Sequence, residues 1–121
     1  MKRDMDLVRE ILKSINEHTH GFAPRNLEIN GYTKEQIGYH CLLLHEAGLL
    51  EATESTTLSS SSPSAIPIRL TWHGHEFIDN AANEKVWGEA KGAIAKLGDV
   101  SFSVWASVLS ELVKQNLGIN S

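Results

Sequence analysis

The sequence predicts an α+β fold, mainly helical: a helix, a short strand, a capped second helix and a long β-hairpin, followed by C-terminal helices. Three observations predict it. Apolar residues recur at helical spacing in several stretches, they alternate at period two in one, and turn-forming residues bracket that alternating stretch. The 121 residues divide into residues 1–80, holding the hairpin, and residues 81–121, a helical extension expected to pack on the first part and to dimerise.

The first helix is read from Leu7, Val8, Ile11, Leu12 and Ile15, which make one wide apolar stripe. Asp4 or Asp6 is placed to cap its N-terminus, and it is expected to end near His18, before Gly21 and Pro24. Residues 19–32 are turn-rich, and the alternation at Leu27 and Ile29 predicts a short strand. They leave little room for a further helix: either one turn near Pro24–Leu27, or a strand in its place. The second helix starts at Thr33, where Thr33-Lys34-Glu35-Gln36 forms a capping box. Ile37, Cys41, Leu44 and Ala47 supply its buried line, and Gly48 stops it.

Residues 50–57 then read as an outgoing strand, and Ile66, Ile68, Leu70 and Trp72 as the return strand. The Ser-rich tip between them, Leu58 to Ser64, is expected to be mobile. Thr71 is placed to cap a helix through Phe77, Ile78, Ala81 and Ala82, broken near Asn80–Asn83. The pattern resumes at Val86, Trp87, Ala90, Ile94 and Leu97, and Gly98-Asp99 ends it. A last helix from about 102 to 116 carries Phe102, Trp105, Val108, Leu109, Leu112 and Val113 on one face, with Leu117 and Ile119 beyond.

Composition narrows the function classes. Apolar residues make up 41% and charged residues 21%, the ordinary balance of a globular domain. The single Cys41 rules out an internal disulfide. With no apolar run of signal-peptide or membrane-span length, a reducing, cytoplasmic setting is expected. The net charge of −4 sits wholly in residues 1–80, with seven Lys/Arg against eleven Asp/Glu. Duplex-binding surfaces neutralise phosphates with clustered Lys and Arg, and this stretch is the acidic one.

Two motifs flank the hairpin. Leu44-His45-Glu46-Ala47-Gly48-Leu49 ends the second helix, and Leu70-Thr71 with Gly74 ends the return strand. In this order the pair resembles winged-helix regulators. The opening Met1 to Leu7, Gly31-Tyr32, Tyr39-His40, Leu70-Thr71-Trp72, Gly74-His75-Glu76-Phe77 and Trp87 also resemble a family of small uncharacterised proteins from bacteria and their phages. That resemblance covers residue 1 to about 113. It implies a winged helix with a helical tail, a bacterial or prophage setting, and no established activity.

The winged-helix resemblance makes a DNA-binding regulator the first functional expectation, with Arg25, Lys34, Tyr39 and Arg69 as candidate duplex contacts, together with Ser59–Ser62 of the hairpin tip. The alternative is a protein-interaction module of the same shape. Opposite the buried line of the second helix stand Glu35, Tyr39, Leu42, Leu43 and Glu46, where a DNA-reading helix presents Arg, Lys, Asn or Gln. Leu42 and Leu43 read as core, as a partner surface or as groove contacts; the first is favoured because adjacent exposed leucines are unfavourable. Trp105, Leu109 and Leu112 are the self-association candidates, and residues 101–117 are expected to form a homodimer.

His18-x-His20 and His73-x-His75, with His40, His45 and Cys41, invite a metal reading. They fall on separate elements, whereas zinc needs converging ligands, so no metal is expected. No nucleophile or phosphate-loop motif is present, hence no enzyme, no catalytic residue and no cofactor are expected. Trp72, Phe77, Trp87, Phe102 and Trp105 read as core packing rather than as the lining of an effector pocket.

Overall fold

The computed structural model describes residues 1–118. Among these the fold is α+β and mainly helical, with five helices and one two-stranded antiparallel sheet: α1 (Met5–Glu17), α2 (Lys34–Glu46), β1 (Leu50–Glu54), β2 (Ala65–Leu70), α3 (Trp72–Ala81), α4 (Glu84–Ala95) and α5 (Phe102–Asn116). Two compact units result, Met1–Ile78 and Asp79–Ser121. Ile119, named above as an apolar residue beyond the last helix, lies outside the described residues.

In the first unit, α1 begins where expected. Asp4 is its N-cap, and Oδ1 accepts from the Leu7 amide at 3.2 Å. All five stripe residues, Leu7, Val8, Ile11, Leu12 and Ile15, are buried, and α1 packs on α2 and β2. The capping box of α2 is complete: Thr33 Oγ1 accepts from the Gln36 amide, and Gln36 Oε1 accepts from the Thr33 amide at 2.8 Å. Gly48 takes a positive φ of 80° and turns the chain so that Leu49 and Leu50 re-enter the core. Ala47, assigned to the buried line of α2, is exposed. It is the C-cap, and the turn at Gly48 replaces it in the core with Leu49.

No helix separates α1 from α2 among the described residues, and the strand expected at Leu27 and Ile29 does not form. The strand-like contact lies earlier. Phe22 bridges Arg69, and the Ala23 amide donates to the Ile68 carbonyl at 2.7 Å. Pro24 follows immediately, and among the described residues the connector makes no backbone hydrogen bond to β2 beyond Ala23, so the chain leaves the edge of β2 there.

The hairpin is shorter than its sequence pattern. β1 ends at Glu54 rather than 57, and Trp72 belongs to α3, with 79% of its surface exposed. The register runs Glu51↔Arg69 and then Ala52↔Pro67, so Ile68 is an extra residue on β2. An extra residue reverses the in–out parity of everything beyond it. Ala65 and Leu70 are therefore both buried, and Ile66, placed inward by simple alternation, is 58% exposed. The Ser-rich tip is bonded to itself: the Ser60 amide donates to the Thr57 carbonyl at 3.0 Å, and the Thr57 amide to Ser60 Oγ at 2.9 Å.

The two flanking motifs meet at one joint. Thr71 donates from its amide to the Leu49 carbonyl at 3.1 Å and from Oγ1 to the Gly48 carbonyl, while Oγ1 accepts from the Gly74 amide at 3.1 Å. This one side chain ends β2, caps α3 and ties both to the end of α2.

The second unit contains the break expected at Asn80–Asn83. α3 stops at Ala81, and Asn83 caps α4 by accepting from the Val86 amide at 3.0 Å. Val86, Trp87, Ala90 and Ile94 are buried, whereas Leu97, counted with them, is exposed beyond the C-cap Lys96. Ser101 caps α5, which packs on α4. Trp105 stacks on Trp87 with ring centroids 4.9 Å apart and planes 26° apart. Only Trp105 and Leu109 of the α5 face are fully buried. Phe102, Val108, Leu112 and Val113 are half-buried.

Candidate functional site

The candidate site is α2, whose two sides carry different chemistry. Its inner side holds Ile37, His40, Cys41, Leu42 and Leu44, all buried, and α2 packs on α1, β1 and β2. Its outer side presents Glu35 and Glu46, both exposed, with Tyr39 and Leu43 half-exposed between them. Leu42, a candidate for partner binding, is 9% exposed and belongs to the core. Leu43 is the leucine that remains accessible.

Of the four candidate duplex contacts, the structure brings two together. Arg25 and Lys34 line one groove with the start of β2. Tyr39 stands on the outer side, its ring edge-on to His40 at 5.9 Å. Arg69 is committed elsewhere: Nη2 donates to Glu51 Oε1 at 2.8 Å, Nε to Glu51 Oε2 at 3.1 Å, and Nη1 to the Leu70 carbonyl at 2.9 Å. A guanidinium whose Nε/Nη2 edge is held by a carboxylate and whose Nη1 is held by a carbonyl has little left for a phosphate. Ser62 of the tip donates to Glu35 Oε1, so the hairpin is tied to the first turn of α2. Ser64 sits so close over Gly38 that a methyl group at that glycine would collide with Ser64 Oγ.

One constellation escaped the sequence reading. His40 is 1% exposed, and both ring nitrogens are used. Nε2 accepts from the Asp4 amide at 2.9 Å, so Nδ1 carries the proton and donates to the Gln36 carbonyl at 2.8 Å. Tyr32 Oη donates to Asp4 Oδ2 at 3.2 Å. Burial first, and then the adjacent Asp4 carboxylate, push the Tyr32 phenol above its ordinary range. Asp4, Tyr32 and His40 thus form a polar node joining the start of α1 to the middle of α2. Their separations of 28 and 36 residues carry no local signal. The one hint was that all three lie within the segments that carried the family resemblance.

Two further imidazoles bond locally, His18 Nδ1 to the Phe22 carbonyl and His45 Nδ1 to the Leu50 carbonyl, both at 3.0 Å. No group of three or more His, Cys, Asp or Glu among the described residues is arranged to hold a metal ion. Burial pushes the Cys41 thiol up to about 12, which keeps it protonated near neutral pH and poor as a nucleophile. Among the described residues no helix is long and apolar enough to cross a membrane. Trp105 and Leu109, named for self-association, are core residues of the second unit, while Leu112 is half-buried.

No solved structure matches this chain. It is similar to an uncharacterized protein of Haemophilus influenzae, 36% identical over 121 residues, covering 97% of this chain and 99% of that one. Residues 2–100, from the start of the chain through α4, match the family model described as Hypothetical protein (DUF2513). The chain belongs to the DUF2513 family.

Proposed function

We propose that the first unit is a winged-helix variant used for protein recognition, with the outer side of α2 docking on a partner surface that is apolar at its centre and basic at its rim. The order of helix, edge contact at Phe22–Ala23, capped helix and hairpin supports the winged-helix reading, with the usual middle helix absent. The composition of the outer side of α2 carries the functional reading: Tyr39 and Leu43 between Glu35 and Glu46. Charged groups at a rim select the partner while a central aromatic and leucine supply the contact.

Photo-crosslinking from position 43 in a bacterial extract tests this. A discrete protein adduct is expected, lost in Glu46→Arg and kept in Arg25→Gln/Lys34→Gln. An adduct indifferent to Glu46→Arg would sink the reading.

Regulation of transcription through duplex DNA is the second reading, and one observation favours it: Arg25 and Lys34 share a groove. Binding to a random duplex at low salt, weakened steeply by added salt and by Arg25→Gln/Lys34→Gln, would put that reading first.

For the second unit the proposal is self-association through α5. At the C-terminal end of α5, Leu112 and Val113 are half-buried and Leu117 is exposed, which leaves apolar surface partly accessible, whereas Trp105 and Leu109 are buried. Sedimentation equilibrium is expected to report a dimer that Leu112→Asp/Leu117→Asp dissociates. A monomer at every concentration would remove this part.

A further inference from the structure

A groove of about 200 Å³ opens in the first unit between residues 25–28, the N-terminal half of α2 and the start of β2. Its rim carries Arg25, Asn26, Glu28 and Lys34, all exposed. Its floor is Ile37, Cys41 and Ala65, all buried. The groove exists because two segments diverge. The chain leaves β2 after Ala23 and returns only at α2, so the start of β2 has α2 on one side and no third strand on the other.

The electrostatics of the rim differ from those of the rest of the unit. Residues 1–80 carry the whole net charge of −4, and Arg69 and Arg9 each stand against a carboxylate, Glu51 and Glu10. On the groove rim, Arg25, Asn26, Glu28 and Lys34 have no side-chain hydrogen bond or ion pair among the described residues. Two cations against the single carboxylate of Glu28 leave the rim positive. The floor beneath them has the opposite character. Ile37 and Ala65 are apolar, and a buried protonated thiol behaves as a small apolar group.

We propose that this groove binds a small organic anion, with a carboxylate or phosphate head between Arg25 and Lys34 and a short apolar body on Ile37, Cys41 and Ala65. Unpaired donors from two segments can both engage one anionic head, and hydrogen bonds to charged groups are the strong ones. An apolar floor beside a few convergent polar groups is the usual composition of a small-ligand site. A duplex phosphate would meet the rim but bring nothing to cover the floor. The groove lies on the side of α2 away from Tyr39, Leu43 and Glu46, so this site stands or falls independently of the docking surface.

Amide-resolved NMR titration of the full chain tests it, with hexanoate, butyl phosphate, inorganic phosphate, hexanol and a random duplex as separate probes. Hexanoate or butyl phosphate is expected to give saturable shifts confined to residues 25–28, 34–41 and 64–67. Arg25→Gln/Lys34→Gln should weaken that binding about tenfold or more; both residues are unpartnered surface groups, so the double variant is expected to give the parent's circular dichroism spectrum. Absence of saturation overturns the proposal, as does undiminished binding in the double variant. Inorganic phosphate or hexanol binding as tightly as the organic anions would also overturn it, because one half of the groove would then be idle. So would shifts from the duplex alone.

Discussion

Gly74→Ala will destabilise the first unit by roughly 2–3 kcal/mol, the upper part of the range for overpacking, even though alanine is the better helix former by about 1 kcal/mol. Gly74 lies in the first turn of α3, and a Cβ there would be driven into the Leu49 carbonyl oxygen, with Leu49 C at 3.2 Å and Leu70 Cδ2 at 3.4 Å. The obstacle is backbone, and it cannot step aside. The Leu49 carbonyl accepts from Thr71, and the Leu49 amide donates to the Leu44 carbonyl at 2.9 Å. Relief therefore means opening the joint that Thr71 closes. The control is the same substitution in α4, where Gly88 and Gly92 have nothing within 4 Å of an added Cβ. There the gain in propensity is unopposed, and stabilisation of about 0.5–1 kcal/mol is expected. Urea midpoints for the three variants should move in opposite directions. A Gly74→Ala protein as stable as the parent would mean that the joint yields easily.

His40→Ala will cost about 2–4 kcal/mol, combining a cavity with a buried donor left without an acceptor. The stranded group is the Asp4 amide, whose partner is His40 Nε2. Asp4 also caps α1 through Oδ1 and holds Tyr32 through Oδ2, so the loss reaches the start of α1. His40→Gln offers an oxygen to the same amide and should recover about 1 kcal/mol, the worth of one hydrogen bond. The assignment also has a spectroscopic signature. Nitrogen-15 NMR of the His40 ring should show the proton on Nδ1, and a proton on Nε2 would contradict the node.

The features legible in the sequence are those that local chemistry decides. Asp4, Thr33 and Asn83 satisfy amides three residues away, so a short window of sequence contains both partners of each cap. Gly48 ends α2 by its own backbone freedom. What escaped depends on register or on distance. The alternation of Ile66, Ile68 and Leu70 looked regular, and nothing in it marked Ile68 as the residue that shifts the register. The Glu51–Arg69 pair that occupies the Arg69 guanidinium exists only in that register. Leu27 and Ile29 had a strand's alternation but lay beyond Pro24, where the edge of β2 is already lost. In the candidate site, the acidic outer side of α2 was visible because helical period alone places Glu35 and Glu46. The meeting of Arg25 with Lys34 required knowing where residues 25–28 return to α2.

The joint at Thr71 also decides where the protein can change length. The segment from Leu50 to Leu70 departs from and returns to a clasp made of Gly48, Leu49, Thr71 and Gly74, so everything beyond the clasp is a closed excursion from the chain. Extending such an excursion at its far end costs only about 0.6 kcal/mol per doubling of loop length. The stretch at Ser59–Ser61 lies past the last tie to α2, made by Ser62. The hairpin can be lengthened or trimmed at that point without moving α2 against α3, and an affinity tag or fluorophore inserted there would report on the protein while leaving both sides of α2 untouched.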